Sequence, residues 1–155
     1  MHLFGVVLFN PEIPPNTGNI IRLCANTGCC LHLIKPMGFS LNEKSLRRAG
    51  MDYVKNVKIS VHENIFDLIN KGLFKRYFIV TKYGENTYTE KKYFKNDCFI
   101  FGSESKGIPK NILEKFENSK KISIPMIYGS RSLNLANSVS IVIYEALRQN
   151  KFQFL

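Results

Sequence analysis

Three short segments hold residue types that could do chemistry. In the first, Asn16, Asn19, Arg22 and Asn26 are spaced by three, three and four residues, so a helix would put them on one face. Ile20, Ile21, Cys24 and Ala25 cover much of the remainder. A solvated helix face normally carries Lys and Glu. Fixed amides and a forked guanidinium suit hydrogen bonding to a phosphate, a ribose or a partner chain. A cap at Asn16 followed by three ordinary exposed polar residues would give the same pattern. In the second segment, Gly102-Ser103-Glu104-Ser105-Lys106-Gly107 has the glycine spacing of a phosphate-binding loop. Ile108-Pro109 then stand where that loop needs Lys and Ser or Thr. What is left is either a plain turn or a place where glycines let the backbone approach a ligand. The third segment runs from Pro125-Met126-Ile127-Tyr128-Gly129 through Ser130-Arg131-Ser132-Leu133-Asn134-Leu135-Ala136-Asn137. Its hydroxyls and amides are natural helix caps, and they could equally orient a ligand at a helix N-terminus.

Other chemistries find no support. No G-x-G-x-x-G and no G-x-S-x-G occurs, which argues against a dinucleotide fold of the usual kind and a hydrolase nucleophile elbow. Cys24, Cys29, Cys30 and Cys98 form no C-x-x-C pair, and His2, His32 and His62 match no H-E-x-x-H. No metal site is expected, and the cysteines read as buried reduced thiols.

Charge points to the partner. Twenty-two basic residues against 12 acidic ones give a net charge of +10 over 155 residues. That suggests a polyanion, most simply nucleic acid, or else a solubilising surface. The basic residues come in small groups: Lys44 with Arg47 and Arg48, Lys75-Arg76, Lys91-Lys92 with Lys95, and Lys120-Lys121. No apolar stretch approaches the ~18 residues of a membrane span. Residues 3–9 are apolar but lack the basic start and small-residue cleavage site of a signal peptide. The chain is expected to be cytoplasmic.

These segments must be held by an alternating scaffold. Residues 3–9, 31–34, 77–81, 98–101 and 122–124, and more weakly 57–61, read as short strands. Helices are expected over residues 16–27 with Gly28 as the stop, 40–50 behind a Ser40/Glu43 capping box, 64–71 ending at Gly72, from Pro109 onward, and 133–149. This alternation implies an α/β fold with a mostly parallel sheet, in one domain over residues 1–155. The last helix is apolar nearly all round, so it should be either a central core helix or an oligomer interface.

Together the segments resemble the three motifs of the SPOUT, or knotted, RNA methyltransferases. Asn16-Thr17-Gly18-Asn19-Ile20-Ile21-Arg22 is similar to motif one, Phe101-Gly102-Ser103-Glu104-Ser105-Lys106-Gly107-Ile108-Pro109 to motif two, and Ile124-Pro125-Met126 through Ser132-Leu133-Asn134-Leu135-Ala136-Asn137 to motif three. The likeness extends through Pro11-Glu12-Ile13-Pro14-Pro15, Leu23-Cys24-Ala25-Asn26-Thr27-Gly28 and Leu46-Arg47-Arg48-Ala49-Gly50. It covers nearly the whole chain and is strongest to the minimal tRNA (cytidine/uridine-2′-O)-methyltransferases of the TrmL type. Ser103, Ser105 and Lys106 stand where that type commonly has a proline, a threonine and an arginine; the lysine would weaken an RNA contact.

The resemblance implies a C-terminal trefoil knot, against the general rule that chains are unknotted. It implies a homodimer, and S-adenosylmethionine (AdoMet) held largely by backbone groups in the knot loops. The cofactor positions would be Val80, Gly102, Ile124, Met126, Ser132, Leu133 and Asn134. Arg22 would stand beside the ribose, with Asn16 and Glu104 positioning it or the RNA. The implied substrate is the wobble nucleotide in the anticodon stem-loop of leucine tRNAs. Methylation of rRNA or of another tRNA nucleotide, and non-catalytic RNA binding by a homodimer, are the alternatives.

Overall fold

The computed structural model describes residues 3–41 and 57–153. Seven strands form one sheet: β1 (Gly5–Phe9), β2 (Cys30–Ile34), β3 (Ile59–His62), β4 (Arg76–Val80), β5 (Asn86–Thr87), β6 (Asp97–Phe101) and β7 (Lys121–Ser123). Their order is β3-β2-β1-β6-β4-β7-β5, and every paired neighbour is parallel. The helices are α1 (Pro14–Thr27), α2 (Ile65–Asn70), α3 (Lys110–Leu113) and α4 (Leu135–Gln149). Residues 42–50 of the helix expected behind Ser40 lie outside the described residues, as do Lys44, Arg47 and Arg48.

The strands are apolar on both faces because helices cover both faces. Side chains alternate across a strand, and β1 shows the sorting: Val6 and Leu8 pack into one core with α1 and α4, while Val7 packs into the other with Ile65, Leu68 and Phe74. Strand β6 divides likewise, Phe99 and Phe101 to the first core and Cys98 and Ile100 to the second. All four cysteines are buried and unbridged. Burial raises each thiol, Cys29 to about 12 and Cys30 to about 11, so they act as small apolar side chains.

Helix boundaries differ from the sequence reading in informative ways. Helix α1 opens at Pro14, two residues early, with proline in its first turn, where a missing N–H costs nothing. It ends as expected at Gly28, whose φ of 67° completes a left-handed cap. Helix α4 opens at Leu135 behind Asn134. It is a core helix: Val139, Val142, Ile143, Ala146 and Leu147 are fully buried. It is not buried all round, since Asn137, Tyr144 and Arg148 form an exposed strip.

One polar contact inside the second core escaped the sequence reading. His32 Nδ1 lies 3.0 Å from His62 Nε2, and Cys30 Sγ lies 3.4 Å from His32 Nε2. Both rings are buried, and His62 Nδ1 has no hydrogen-bond partner among the described residues. Two facing ring nitrogens need one proton between them, so a second proton breaks the contact. Burial first, and then Lys71, hold the His62 pKa below the ordinary histidine value, while Asp67 opposes them. A depressed pKa contributes stability above the unfolded value of ~6.5 that is lost as pH falls through the folded value. The urea midpoint should therefore drop between pH 7 and pH 5, and His62→Phe should show a shallower drop; equal slopes in the two proteins would remove His62 from that dependence.

Candidate active site

The C-terminal ends of β4, β6 and β7 open into a cleft of about 770 Å³. Ligands of open α/β sheets bind at this end of the strands. Val80 closes β4, Gly102 follows β6 and Ile124 follows β7, so all three offer main-chain groups where strand pairing stops. Met126, Ser132, Leu133 and Asn134 come in from the segment before α4, and all seven of the expected cofactor positions line the cleft. Asn16 and Glu104 line it too.

The turn after β6 is built by close backbone approach. Ser103 and Gly107 pair across it, Ser103 N donating to Gly107 O at 3.2 Å and Gly107 N to Ser103 O at 2.9 Å. A Cβ on Gly102 would collide with the Gly107 and Ile108 backbone. The glycine pair is thus required by the fold of the turn, with no phosphate-loop role needed.

This turn carries Glu104 to the N-terminus of α1. Glu104 Oε2 accepts Glu12 N at 2.8 Å, and Oε1 accepts Ile13 N at 3.1 Å and Asn16 Nδ2 at 3.1 Å. Ile13, at the helix cap position, has no capping side-chain bond of its own; the carboxylate from another segment satisfies these N–H groups and meets the positive end of the helix dipole. The clasp is reciprocal, because the Glu12 carboxylate accepts Ser105 N at 3.1 Å and Ser105 Oγ at 2.7 Å. Glu12 was not picked out as functional from the sequence, although it stands in the Pro-rich segment just before α1.

Asn16 passes the connection on. Its Oδ1 accepts Asn134 Nδ2 at 2.9 Å. Asn134 Oδ1 in turn caps α4, accepting Ala136 N at 2.8 Å and Asn137 N at 3.3 Å. Every amide orientation here is forced. The α4 amides need an acceptor, so Asn134 turns its NH₂ toward Asn16. Asn16 must meet that NH₂ with oxygen, and so gives its own NH₂ to Glu104, which can only accept. One chain of hydrogen bonds thereby joins all three segments.

The polar stripe of α1 divides. Asn16 is buried, while Asn19, Arg22 and Asn26 are exposed. Arg22 is not among the residues lining the cleft. Six residues at ~1.5 Å each put it about 9 Å along the helix axis from Asn16. Lys82, Tyr83 and Arg131 also line the cleft, and no motif or spacing marks Lys82 or Tyr83 in the sequence. Among the described residues, no group of three or more His, Cys, Asp and Glu is placed to hold a metal ion, and no helix is long and apolar enough to cross a membrane.

Glu104→Gln tests the clasp. Each carboxylate oxygen faces a donor, so the NH₂ of Gln must point at an N–H wherever it turns. A fully buried donor left unsatisfied costs about 1–3 kcal/mol; these donors are only partly buried or exposed, so chemical denaturation should show a loss toward the lower end, about 1 kcal/mol. An unchanged midpoint would mean the carboxylate does not hold the helix.

Comparison with known proteins places this geometry. Residues 4–144 match the model of the SpoU rRNA Methylase family. A tRNA (cytidine(34)-2'-O)-methyltransferase from Methylovorus glucosotrophus is 46% identical over 150 residues, covering 97% of each chain. A solved structure concerned with the 2-OH methylation of C/U34 on tRNA superposes with a TM-score of 0.89 at 39% identity, covering 98% of this chain and 99% of that one. A SpoU methyltransferase from Streptomyces viridochromogenes in complex with AdoMet shares the fold, with a TM-score of 0.80 at 22% identity, covering 97% of this chain and 59% of that one. The match in sequence and in fold thus runs along nearly the full length, and the chain belongs to the SpoU methylase family of SPOUT methyltransferases.

Proposed function

We propose that this protein is an AdoMet-dependent tRNA 2′-O-methyltransferase acting on the ribose of nucleotide 34, cytidine or uridine. The observation that carries the reading is the cleft itself: about 770 Å³, at the strand ends, walled by all three motif segments. Its size falls within the ~300–1,000 Å³ of small-molecule sites. Its composition suits AdoMet. Val80, Ile124 and Leu133 offer apolar surface, and the strand-end backbone offers donors and acceptors without a side-chain fingerprint. AdoMet supplies a methyl group on a sulfonium that is already a good leaving group.

The chain's own task is the ribose hydroxyl, a weak nucleophile until it loses its proton. Arg22 is the cation we assign to that hydroxyl. A guanidinium with a pKa above ~12 is a poor base, so its role is to orient the ribose or its phosphate and stabilise the developing alkoxide. Asn16 and Glu104 position the α1 turns that carry it, and Asn134 supports the cofactor loop. The exposed stripe of Asn19, Arg22 and Asn26 faces outward, where the seam between protomers would meet the bound RNA. We further propose a cytoplasmic homodimer with the family's C-terminal knot, joined through outer faces of α1 and α4, where Tyr144 is exposed. Val139 and Ile143 are buried within the chain and belong to its own core. By the same resemblance, the substrates are the leucine tRNAs.

Arg22→Ala should lower single-turnover methylation of tRNA by roughly 10²–10³ at saturating AdoMet, while calorimetry shows AdoMet affinity within a few-fold of the parent. Near-parental turnover would end the catalytic assignment, and lost AdoMet binding would move Arg22 into the cofactor site. Mapping ribose methylation across total tRNA from a deletion strain should show a loss confined to nucleotide 34; a loss elsewhere, or in rRNA alone, would overturn the substrate.

A further inference from the structure

A second, smaller cavity of about 320 Å³ lies behind the turn that walls the cleft. It opens at the C-terminal ends of β1, β2 and β6. Phe9 lines it from the end of β1 and Asn10 from just beyond, Pro36, Met37 and Gly38 from the loop after β2, and Pro109 from beyond the turn. This is the topological switch point of the sheet. From β1 the chain goes on to β2 and β3 on one side, then crosses to build β4 to β7 on the other. Crevices at such points bind ligands. Ser103, Lys106 and Gly107 line both this cavity and the cleft, so one turn of backbone is all that separates them.

We propose that this cavity holds one nucleobase of the RNA substrate, at or immediately beside the methylated nucleotide. The inference rests on the tRNA reading above. The chemistry of the walls selects the occupant. Phe9, Pro36, Met37 and Pro109 offer flat or soft apolar surface of the kind on which an unstacked base lies. Lys106 stands exposed on the rim with a cation for the adjoining phosphate. Glu12, the carboxylate in the wall, is bound by Ser105 N and Oγ and so turned away from a repulsive role. Asn10 supplies a fixed polar group. Its Nδ2 donates to Pro36 O at 3.1 Å and Ile34 O at 3.4 Å, which leaves Oδ1 to accept from a base N–H. Asn10 also adopts φ 48° without being glycine, a conformation that clusters at functional sites. The net charge of +10 favours RNA over an uncharged aromatic ligand.

Met37→Trp fills the cavity, and Lys106→Ala removes its cation; neither side chain belongs to the Glu104–Asn16–Asn134 chain. Anticodon stem-loops are prepared intact and with an abasic ribose at nucleotide 34 or at either neighbour. Affinity is measured by fluorescence titration and methylation in parallel. In the parent, one abasic position should weaken binding by roughly tenfold, the scale of one base stacked on an aromatic wall. Met37→Trp should weaken the intact loop by a similar factor and show no further loss on that abasic loop, with AdoMet affinity unchanged. Lys106→Ala should weaken every loop by one common factor and leave the abasic penalty in place. Full parental affinity in Met37→Trp, penalties that multiply instead of saturating, or no stem-loop binding by the parent would each overturn the base pocket. Saturating penalties in a parent that binds the loop without methylating it would uphold the pocket and overturn the proposed activity instead.

Discussion

The site depends on a single line of hydrogen bonds, from Glu104 through Asn16 to Asn134. Its ends are fixed by backbone: the N–H groups of Glu12 and Ile13, just ahead of α1, at one end and the opening N–H groups of α4 at the other. Without it, the segment entering α1 and the first turn of α4 would present unsatisfied donors beside the cleft. Answering both needs with one continuous chain fixes how α1, the turn after β6 and the start of α4 sit against one another. It also spends the polar capacity of Asn16, Glu104 and Asn134 on architecture, which leaves ligand chemistry to strand-end backbone and to side chains further out.

The sheet makes this arrangement available. Because every paired strand is parallel, all C-terminal ends face the same way, and the segments that follow β1, β2, β4, β6 and β7 gather on one edge. The two cavities divide that edge at the boundary between β1 and β6. The dividing wall is the glycine-bounded turn, which fits there because no Cβ intrudes at Gly102. Rigid strands thus set the spacing between the cavities, and the turn sets the thickness between them.

Much of this was legible in the sequence. Strands buried on both faces read as plain apolar runs, and β1, β2, β4, β6 and β7 fall within two residues of their expected bounds. Strand β5 was not visible, being only Asn86 and Thr87 and polar. The start of α1 was misplaced because Pro14-Pro15 look like a break, although the first helical turn tolerates proline. The apolar run in α4 overstated its burial, since Tyr144 counts as apolar by type yet faces outward. The cofactor positions were named only through resemblance, for backbone recognition leaves no residue signature. The roles of Asn16 and Glu104 were opaque for a different reason: their partners lie 88 and 118 residues away. The His32–His62 contact depends on the register of β2 against β3, which pairs Ile34 with His62 and is not written in composition.

The span of that line of bonds bears on how the protein comes to life during synthesis. Asn134 joins Asn16 across 118 positions, so the bond must wait until everything between them has been made. A nascent chain halted after β7 already has the strands, Asn16 and Glu104, yet the face of the first core that α4 covers is bare and the cleft lacks one wall. Contacts this distant in sequence form late and slowly. Closure of the cleft therefore waits on the docking of α4, and a polypeptide cut short after β7 lacks one wall of the site however much of its sheet has formed.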